Sequence, residues 1–521
     1  MNFISQSAIR IPKSSSLILI HPPVVKPCEP PPGVARLCGV LRHHGIPCQV
    51  VDANAEGILE LLRSPMVLSD TWTRRATKHL SNHLSLLRSW EGYRHIDRYT
   101  RAIKDINRVL EKTSGSSGAR LGLGNYEHQD LLPTRSHDLM RAAESPESNA
   151  FYPYFGNQLY DLFEKEQTQV VGFSLNYLSQ ALTTFAMAGF LKRMNPRSTL
   201  VLGGGLITSW MRRPGWNNPF AGLVDHLIAG SGEGPLLSML GIGCKELLQH
   251  YTPNYEAFRW EDYFAPGPIL PYSTSTGCYW NNCSFCPEKA EGNQYVPLPV
   301  ERVIRDLRLL VEKHKPVLIH LTDNAVSPAL LRALADHPPG APWYGFVRFT
   351  RHLTDPDLCM ALKRSGCVML KLGMESGDQA VLDAMQKGVD LEEASSALKT
   401  IKKAGIATFV YLLFGTPPET LAEARKTLDF VAKHHEEIDF LNLAIFNLPV
   451  YGPDTESLET RIFYEGDLSL YVDFEHPRGW NRKRVRQFLD KEFKRHPAIA
   501  PILRRDPPVF TSNHAPFFVM T

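Results

Sequence analysis

At 521 residues, with 43% hydrophobic and 21% charged residues, the chain has a globular composition and is too long for one core, so about two or three domains are expected. A net charge of +3 gives no electrostatic footprint for nucleic acid, and no stretch reaches the roughly 18 apolar residues of a membrane span. The nine cysteines are sparse and odd in number, which argues against a disulfide framework and for a cytoplasmic protein with reduced thiols.

In chain order, Leu17–Ile20 reads as a strand, too short for a signal core, and runs into His21-Pro22-Pro23. Gly33–His44 has apolar residues at helical spacing, Gly45 ends that helix, and Pro47–Asp52 reads as a second strand. Residues 56–165 form a helical insertion with little strand character, basic near Arg74-Arg75 and Lys78-His79, which predicts a solvated helical surface. Ser114–Gly118 reads as an exposed loop. Strands are expected again at Val170–Leu175, Thr199–Leu202 and Asp225–Ala229, with a helix near 179–194. Such alternation predicts a doubly wound, Rossmann-like parallel sheet with its ligand at the carboxyl ends of the strands.

From about residue 268 the pattern becomes a longer strand–helix series. Strands are predicted at Pro271–Ser275, Val317–Thr322, Trp343–Phe349, Val368–Met374, Thr408–Phe414 and Phe440–Phe446. Helices are predicted near 299–314, 355–365, 378–386, 391–404 and 418–434, with Pro316 and Gly405 as helix stops. Six such units predict a partial or full (β/α) TIM-type barrel, whose functional residues gather at the strands' carboxyl ends. Residues past 455 read as an appended cap.

The loop after the first barrel strand holds Cys278, Cys283 and Cys286 in the spacing Cys-x4-Cys-x2-Cys. Three thiolates so close need a metal to hold their charge. Structural zinc and a plant-type two-iron cluster each want a fourth ligand, and the next cysteine is Cys359. A four-iron cluster with three protein ligands and one open iron fits the sequence best.

The loop resembles that of the radical S-adenosylmethionine (SAM) superfamily, down to the aromatic Phe285 before the last cysteine, although most members have three residues between the first two cysteines where this chain has four. The resemblance covers roughly 268–450 and implies a 4Fe–4S cluster on Cys278, Cys283 and Cys286. It further implies SAM contacts from Phe285, from Asp323 and Asn324 toward the methionine amine, from Glu375 and Ser376 toward the ribose or methionine, and from Gly415 and Pro417 near the adenine. One electron from the cluster would cleave the sulfonium and give a 5′-deoxyadenosyl radical. A reductant such as flavodoxin or ferredoxin would be the electron donor, and the substrate would be a small molecule of unknown class.

The N-terminal half resembles the cobalamin-binding domain that precedes many radical SAM barrels. Pro22, Gly33, Gly203, Gly204, Gly232 and Glu233 fall at the matching strand ends, while the Asp-x-His-x-x-Gly motif that supplies a cobalt ligand elsewhere is absent. The expected organisation is a cobalamin-binding-like domain at 1–250, a radical SAM barrel at 251–455 and a C-terminal extension at 456–521. With cobalamin, the resemblance implies methyl transfer to an unactivated carbon. The alternatives are a non-methylating radical rearrangement or cyclisation enzyme, and a non-catalytic iron–sulfur or cobalamin redox sensor. Cys28, Cys38 and Cys48 read as packing, Arg348 as either a carboxylate ligand or a structural ion pair, and His514 as part of a structural aromatic tail over the barrel mouth, with a catalytic acid–base role the alternative.

Overall fold

A computed structural model describes residues 16–66, 70–165, 168–242, 250–462, 465–508 and 514–519. Two compact units divide it: residues 1–88, 101–264 and 465–469 form the first, and residues 89–100, 265–464 and 470–521 the second. No helix among the described residues is long and apolar enough to cross a membrane.

In the first unit, strands β1 (Ser16–Ile20), β2 (Cys48–Val51), β3 (Thr168–Ser174), β4 (Thr199–Gly203) and β5 (His226–Leu227) form a parallel sheet in the order β2-β1-β3-β4-β5. Leu17 to Ile20 are buried, as a central parallel strand covered on both faces requires. Helix α1 (Pro32–His43) starts with proline in its first turn, and α2 (Ala53–Arg63) is capped by Asp52, which accepts from Ala55 N at 3.0 Å. Helix α3 (Leu178–Met194) is buried almost all round; a Cβ on Gly189 would lie 1.9 Å from the Ala143 carbonyl oxygen, so the helix at Ser136–Glu144 rests directly on it. The insertion is helical apart from a short hairpin, Ala119–Gly122 with Asn125–His128. Its Ser114 is buried at a helix end, so the expected exposed loop shrinks to one tight turn closed by Gly118 at φ 69°.

Residues 251–264 pack with this unit because Asn254 N donates to Ala35 O at 2.8 Å, Phe264 N to Pro27 O at 2.7 Å and Tyr263 OH to Asp52 at 2.5 Å. The unit therefore ends near 264, past the expected boundary at 250.

The second unit is built on six parallel strands: β6 (Ile269–Tyr272), β7 (Leu318–Leu321), β8 (Trp343–Val347), β9 (Cys367–Glu375), β10 (Ala407–Phe414) and β11 (Phe440–Ile445). They pair in chain order, which is the arc of a partial (β/α) barrel. The intervening helices are α4 (Val300–His314), α5 (Pro328–Asp336), α6 (Pro356–Arg364), α7 (Gln379–Ala384), α8 (Leu391–Lys403) and α9 (Leu421–Lys433). Helix α5 was not expected from the sequence, although Ser327 caps it onto Leu330 N at 3.3 Å and Pro328 fills its first position. Strand β6 starts two residues earlier than the pattern at Pro271–Ser275 suggests. Pro271 sits within this edge strand, where a missing N–H is tolerated, and Thr274 and Ser275 are drawn out of it by Asp323.

After β11 come a three-stranded antiparallel sheet (Leu448–Pro449, Tyr471–Phe474, Thr460–Arg461) and α10 (Arg482–Lys491). The tail lies opposite to where the sequence suggested. Residues 509–513 are outside the described residues, but Ala515, Phe518 and Val519 pack with Ile269, Leu318, Met369, Ala407 and Phe440, at the amino ends of the strands. The tail closes the barrel floor, away from the cysteine loop. His514 is fully buried, stacks on Phe409 at 4.6 Å and meets Asp506 at 2.6 Å, a structural placement. Tyr93 and Tyr99 pack on Phe517, each at 5.2 Å, which is why residues 89–100 belong to this unit.

Phe409→Ala removes a wholly buried ring that supports both His514 and Phe440. A loss of about 3–5 kcal/mol in chemical denaturation is expected, with faster proteolysis of the tail than in the wild type.

Candidate functional site

The cysteine loop leaves the carboxyl end of β6, through Ser275–Thr276, which pairs antiparallel with Val296–Pro297. Gly277 (φ 68°) and Asn281 (φ 46°) adopt left-handed backbone, and a Cβ at Gly277 would come within 2.5 Å of the Gln294 carbonyl oxygen. All three thiols are free; Cys283 is buried, Cys278 and Cys286 half-buried, and burial pushes the Cys286 thiol up to about 11.

The loop has little order of its own, Cys286 N donating to Cys283 O at 3.3 Å. Its order comes from residues 385–388, the turn after α7. Ser284 N donates to Met385 O at 3.0 Å, Trp280 Nε1 donates to Gln386 O at 3.0 Å, and Lys289 Nζ reaches Gln386 Oε1 at 3.3 Å. Gly388, at φ 62°, lies so close under the Trp280 indole that a Cβ would sit 2.1 Å from its ring. Lys387 lies over the Phe285 ring at 5.6 Å and binds Glu375 at 2.7 Å. Arg348, just past β8, lies 4.5 Å over Trp280 and points Nη1 at Cys283 Sγ, 3.8 Å away. Neither Arg348's thiol contact nor the role of residues 385–388 was read from the sequence.

The carboxylates named from the sequence occupy the carboxyl ends of neighbouring strands. Asp323, after β7, accepts from Thr274 N at 3.1 Å and from the Thr274 and Ser275 hydroxyls at 2.7 Å each. Burial raises its pKa against those bonds. Asn324 is exposed and donates to Gly277 O at 3.3 Å. Glu375 ends β9 with φ 69°, a strained backbone for a side-chain-bearing residue, of the kind that gathers at functional sites. Ser376 faces the scaffold: it is buried, accepts from Asp378 N at 3.1 Å and meets Thr427 Oγ1 at 3.3 Å.

Gly415 (φ 80°) donates to Glu419 Oε2 at 2.5 Å across the turn that contains Pro417. Trp480 Nε1 donates to the same oxygen at 2.8 Å, and His476 Nε2 donates to Thr416 O at 2.9 Å while its Nδ1 accepts from the Arg478 and Trp480 amides. Glu419 is wholly buried and its Oε1 has no partner among the described residues; burial raises its pKa to about 7. Inside the barrel, Lys371 Nζ lies 3.2 Å from His320 Nε2 and 5.0 Å over the Tyr344 ring, a polar cluster hidden in a strand that reads as apolar.

In the first unit the named residues also gather at one end of the sheet. Pro22 follows β1 and its carbonyl accepts from Gln180 Nε2 at 2.7 Å; Gly33 opens α1 with space around it, the nearest atom to an added Cβ being 3.9 Å away. Gly203 ends β4, and a Cβ on Gly204 (φ 111°) would lie 2.4 Å from the Leu175 carbonyl oxygen, so its freedom serves the turn. Gly232 precedes the helix Glu233–Met239, and Glu233 pairs with Arg36. Strand order reverses between β1 and β3, the switch point where open α/β sheets bind ligands.

Residues 272–431 match the family model described as the Radical SAM superfamily. The chain carries a radical SAM domain. That domain makes it an enzyme of the radical SAM type and implies a 4Fe–4S cluster and SAM as its cofactors. Among curated proteins, an uncharacterized methyltransferase of Pyrococcus horikoshii is 23% identical, over 65% of this chain and 78% of the relative. The hopanoid C-3 methylase of Methylococcus capsulatus is 24% identical over 59% of this chain, which spans 64% of that relative's length. The radical SAM methyltransferase TsrM of Kitasatospora setae, solved with cobalamin and a [4Fe–4S] cluster, shares the fold with a TM-score of 0.50 at 15% identity, over 84% of this chain and 77% of that one.

The donor chemistry suits such a cluster, three thiols on one loop of the radical SAM domain beside the guanidinium of Arg348 and the ammonium of Lys387, although among the described residues no three such side chains are drawn together closely enough to hold a single metal ion. Gly388→Ala is expected to unseat Trp280 and cost about 1–2 kcal/mol for the left-handed alanine alone, with iron per chain after reconstitution well below wild type. For Glu419 the folded pKa of about 7 lies above its ordinary 4.5, so the stability tied to its protonated form is present below pH 4.5 and lost as pH rises through 7. Glu419→Gln is expected to flatten that decline, on the order of 3 kcal/mol, in denaturation curves taken from pH 5 to 8.

Proposed function

We propose that the protein is a cobalamin-dependent radical SAM methyltransferase that transfers a methyl group to an unactivated carbon of a small molecule. The observation that carries this is the pairing, in one chain, of a three-cysteine loop seated at the carboxyl ends of a six-stranded parallel barrel with a doubly wound sheet whose open switch-point end bears Pro22, Gly33 and Gly232. The methylase names of the relatives and the cobalamin in TsrM support the same reading.

Cys278, Cys283 and Cys286 would hold the cluster and leave one iron for SAM, with Glu375, Asp323, Asn324 and the Gly415–Pro417 turn around it. When bound, the cluster supplies the electron that cleaves SAM, and cobalamin supplies a methyl carrier. The chain's own residues then do the positioning. Asp323 fixes the start of the cysteine loop through Thr274 and Ser275, so the methionine end of SAM would be met by Asn324 and by the loop's backbone more than by the Asp323 carboxylate, whose oxygens are occupied. Glu375 presents a carboxylate held by Lys387, and the Trp480–Glu419–Gly415 bonds fix the turn at the end of β10. The electron would come from a flavodoxin or ferredoxin, and the free thiols suit the reducing cytoplasm.

The test is anaerobic reconstitution with iron, sulfide and cobalamin, followed by SAM and a strong reductant. Expected outcomes are 5′-deoxyadenosine formation that Cys283→Ala abolishes, and cobalamin that co-purifies on gel filtration in the wild type and in Cys283→Ala alike. Iron uptake without SAM cleavage, and without any SAM-induced change in the cluster's spectrum, would overturn the enzyme reading. Cleavage without retained cobalamin would leave a radical SAM enzyme of the rearranging or cyclising kind.

A further inference from the structure

Arg348 is an unusual buried charge. It is 6% exposed, and among the described residues it pairs with no carboxylate. Its partners are the Lys387 carbonyl, the Gly388 carbonyl at 3.5 Å, the Trp280 indole face at 4.5 Å and the Cys283 sulfur at 3.8 Å. Two carbonyls and a ring face solvate a guanidinium but do not neutralise it, and a buried cation is costly until something does. The group at the open end of its fork is a thiol, and three thiols share that loop. The side chain also cannot swing elsewhere without releasing the Lys387 carbonyl and the indole together.

We propose that Arg348 is a positioning residue whose charge sets the reduction potential of the iron–sulfur cluster, its counter-charge being the cluster's thiolates. This rests on the assignment of the cluster to Cys278, Cys283 and Cys286. The electrostatics have a definite sign. Adding one electron makes the cluster and its thiolates more negative, so a fixed cation beside a ligand sulfur stabilises the reduced state more than the oxidised one. Screening by salt is weak because the pair is buried. The electron itself comes from an external low-potential one-electron donor, and Arg348 neither gains nor loses it. Lys387 stands one step further out: its ammonium is already committed to Glu375, which leaves Arg348 as the cation directed at sulfur.

The experiment is a redox titration of the reconstituted full-length protein with titanium(III) citrate and mediators, followed by electron paramagnetic resonance, with iron and sulfide measured on the same samples. Arg348→Gln removes the charge and leaves a shorter side chain with two N–H donors; Arg348→Lys keeps the charge and loses the fork. A midpoint more negative in Arg348→Gln than in the wild type, with Arg348→Lys between them, is the expected result. An unchanged midpoint in Arg348→Gln, or an equal fall in both variants, overturns it. Where Arg348→Gln takes up too little iron to titrate, iron content decides instead: a loss that Arg348→Lys restores supports the role of the charge, and an equal loss in both overturns it. A wild-type protein that builds no cluster would sink the cysteine assignment itself, and that outcome is seen before any variant is titrated.

Discussion

Three thiols within nine residues can be held together only if something outside the loop gives it shape and something positive faces it. Both requirements meet at the contact between the cysteine loop and the turn at 385–388. Its carbonyls, at Met385 and Gln386, fix the Ser284 amide and the Trp280 indole, and its glycine lets the ring lie flat on the backbone. A side chain at Gly388 would lift Trp280, and with it the surface on which Arg348 lies. The loop's own sequence could not achieve this, because its residues have few hydrogen-bond partners among themselves. Neighbouring strands in a singly wound barrel end side by side, so β6, β8 and β9 deliver the loop, the arginine and the template turn to one place.

The carboxylates around the loop serve the scaffold first. Asp323 ties the exit of β6 to the end of β7, which sets where the loop begins. Glu419 joins the end of β10 to Trp480 of the C-terminal extension, and its buried, half-satisfied state makes that junction sensitive to pH. Ser376 and Thr427 lock the turn after β9 onto α9. Each is a short polar bridge at a strand's carboxyl end, in a region where apolar packing alone would leave strand ends free to move.

The cysteine loop, the six strands and the doubly wound first unit were legible because they depend on local signals: ligand spacing, apolar periods and turn residues. What escaped was mostly long-range. Nothing near Arg348 in the chain marks it as the partner of a thiol 65 residues earlier. Lys371 sits in a run read as an apolar strand, yet meets His320 across the barrel. The tail at 514–519 carries aromatic residues that suit either end of a barrel, and its packing against Ile269, Leu318, Met369, Ala407 and Phe440 at the strands' amino ends joins residues far apart in the chain. Helix α5 is a different kind of omission, since its Ser-Pro start is a local signal, but the helix it opens is only nine residues long.

Lys387 explains why the loop and the carboxylate at the end of β9 behave as one piece. Its ammonium holds Glu375, its side chain lies over Phe285, and its carbonyl accepts from Arg348, which in turn faces Cys283. Glu375 is itself held in a left-handed conformation that the ion pair helps to keep. A ligand that engages Glu375 must therefore share it with Lys387 or displace the ammonium, and a displaced Lys387 disturbs Phe285 and the carbonyl under Arg348 at the same time. Occupancy of the carboxylate is thus coupled to the setting of the cysteine loop through a single residue, over a path made entirely of direct contacts.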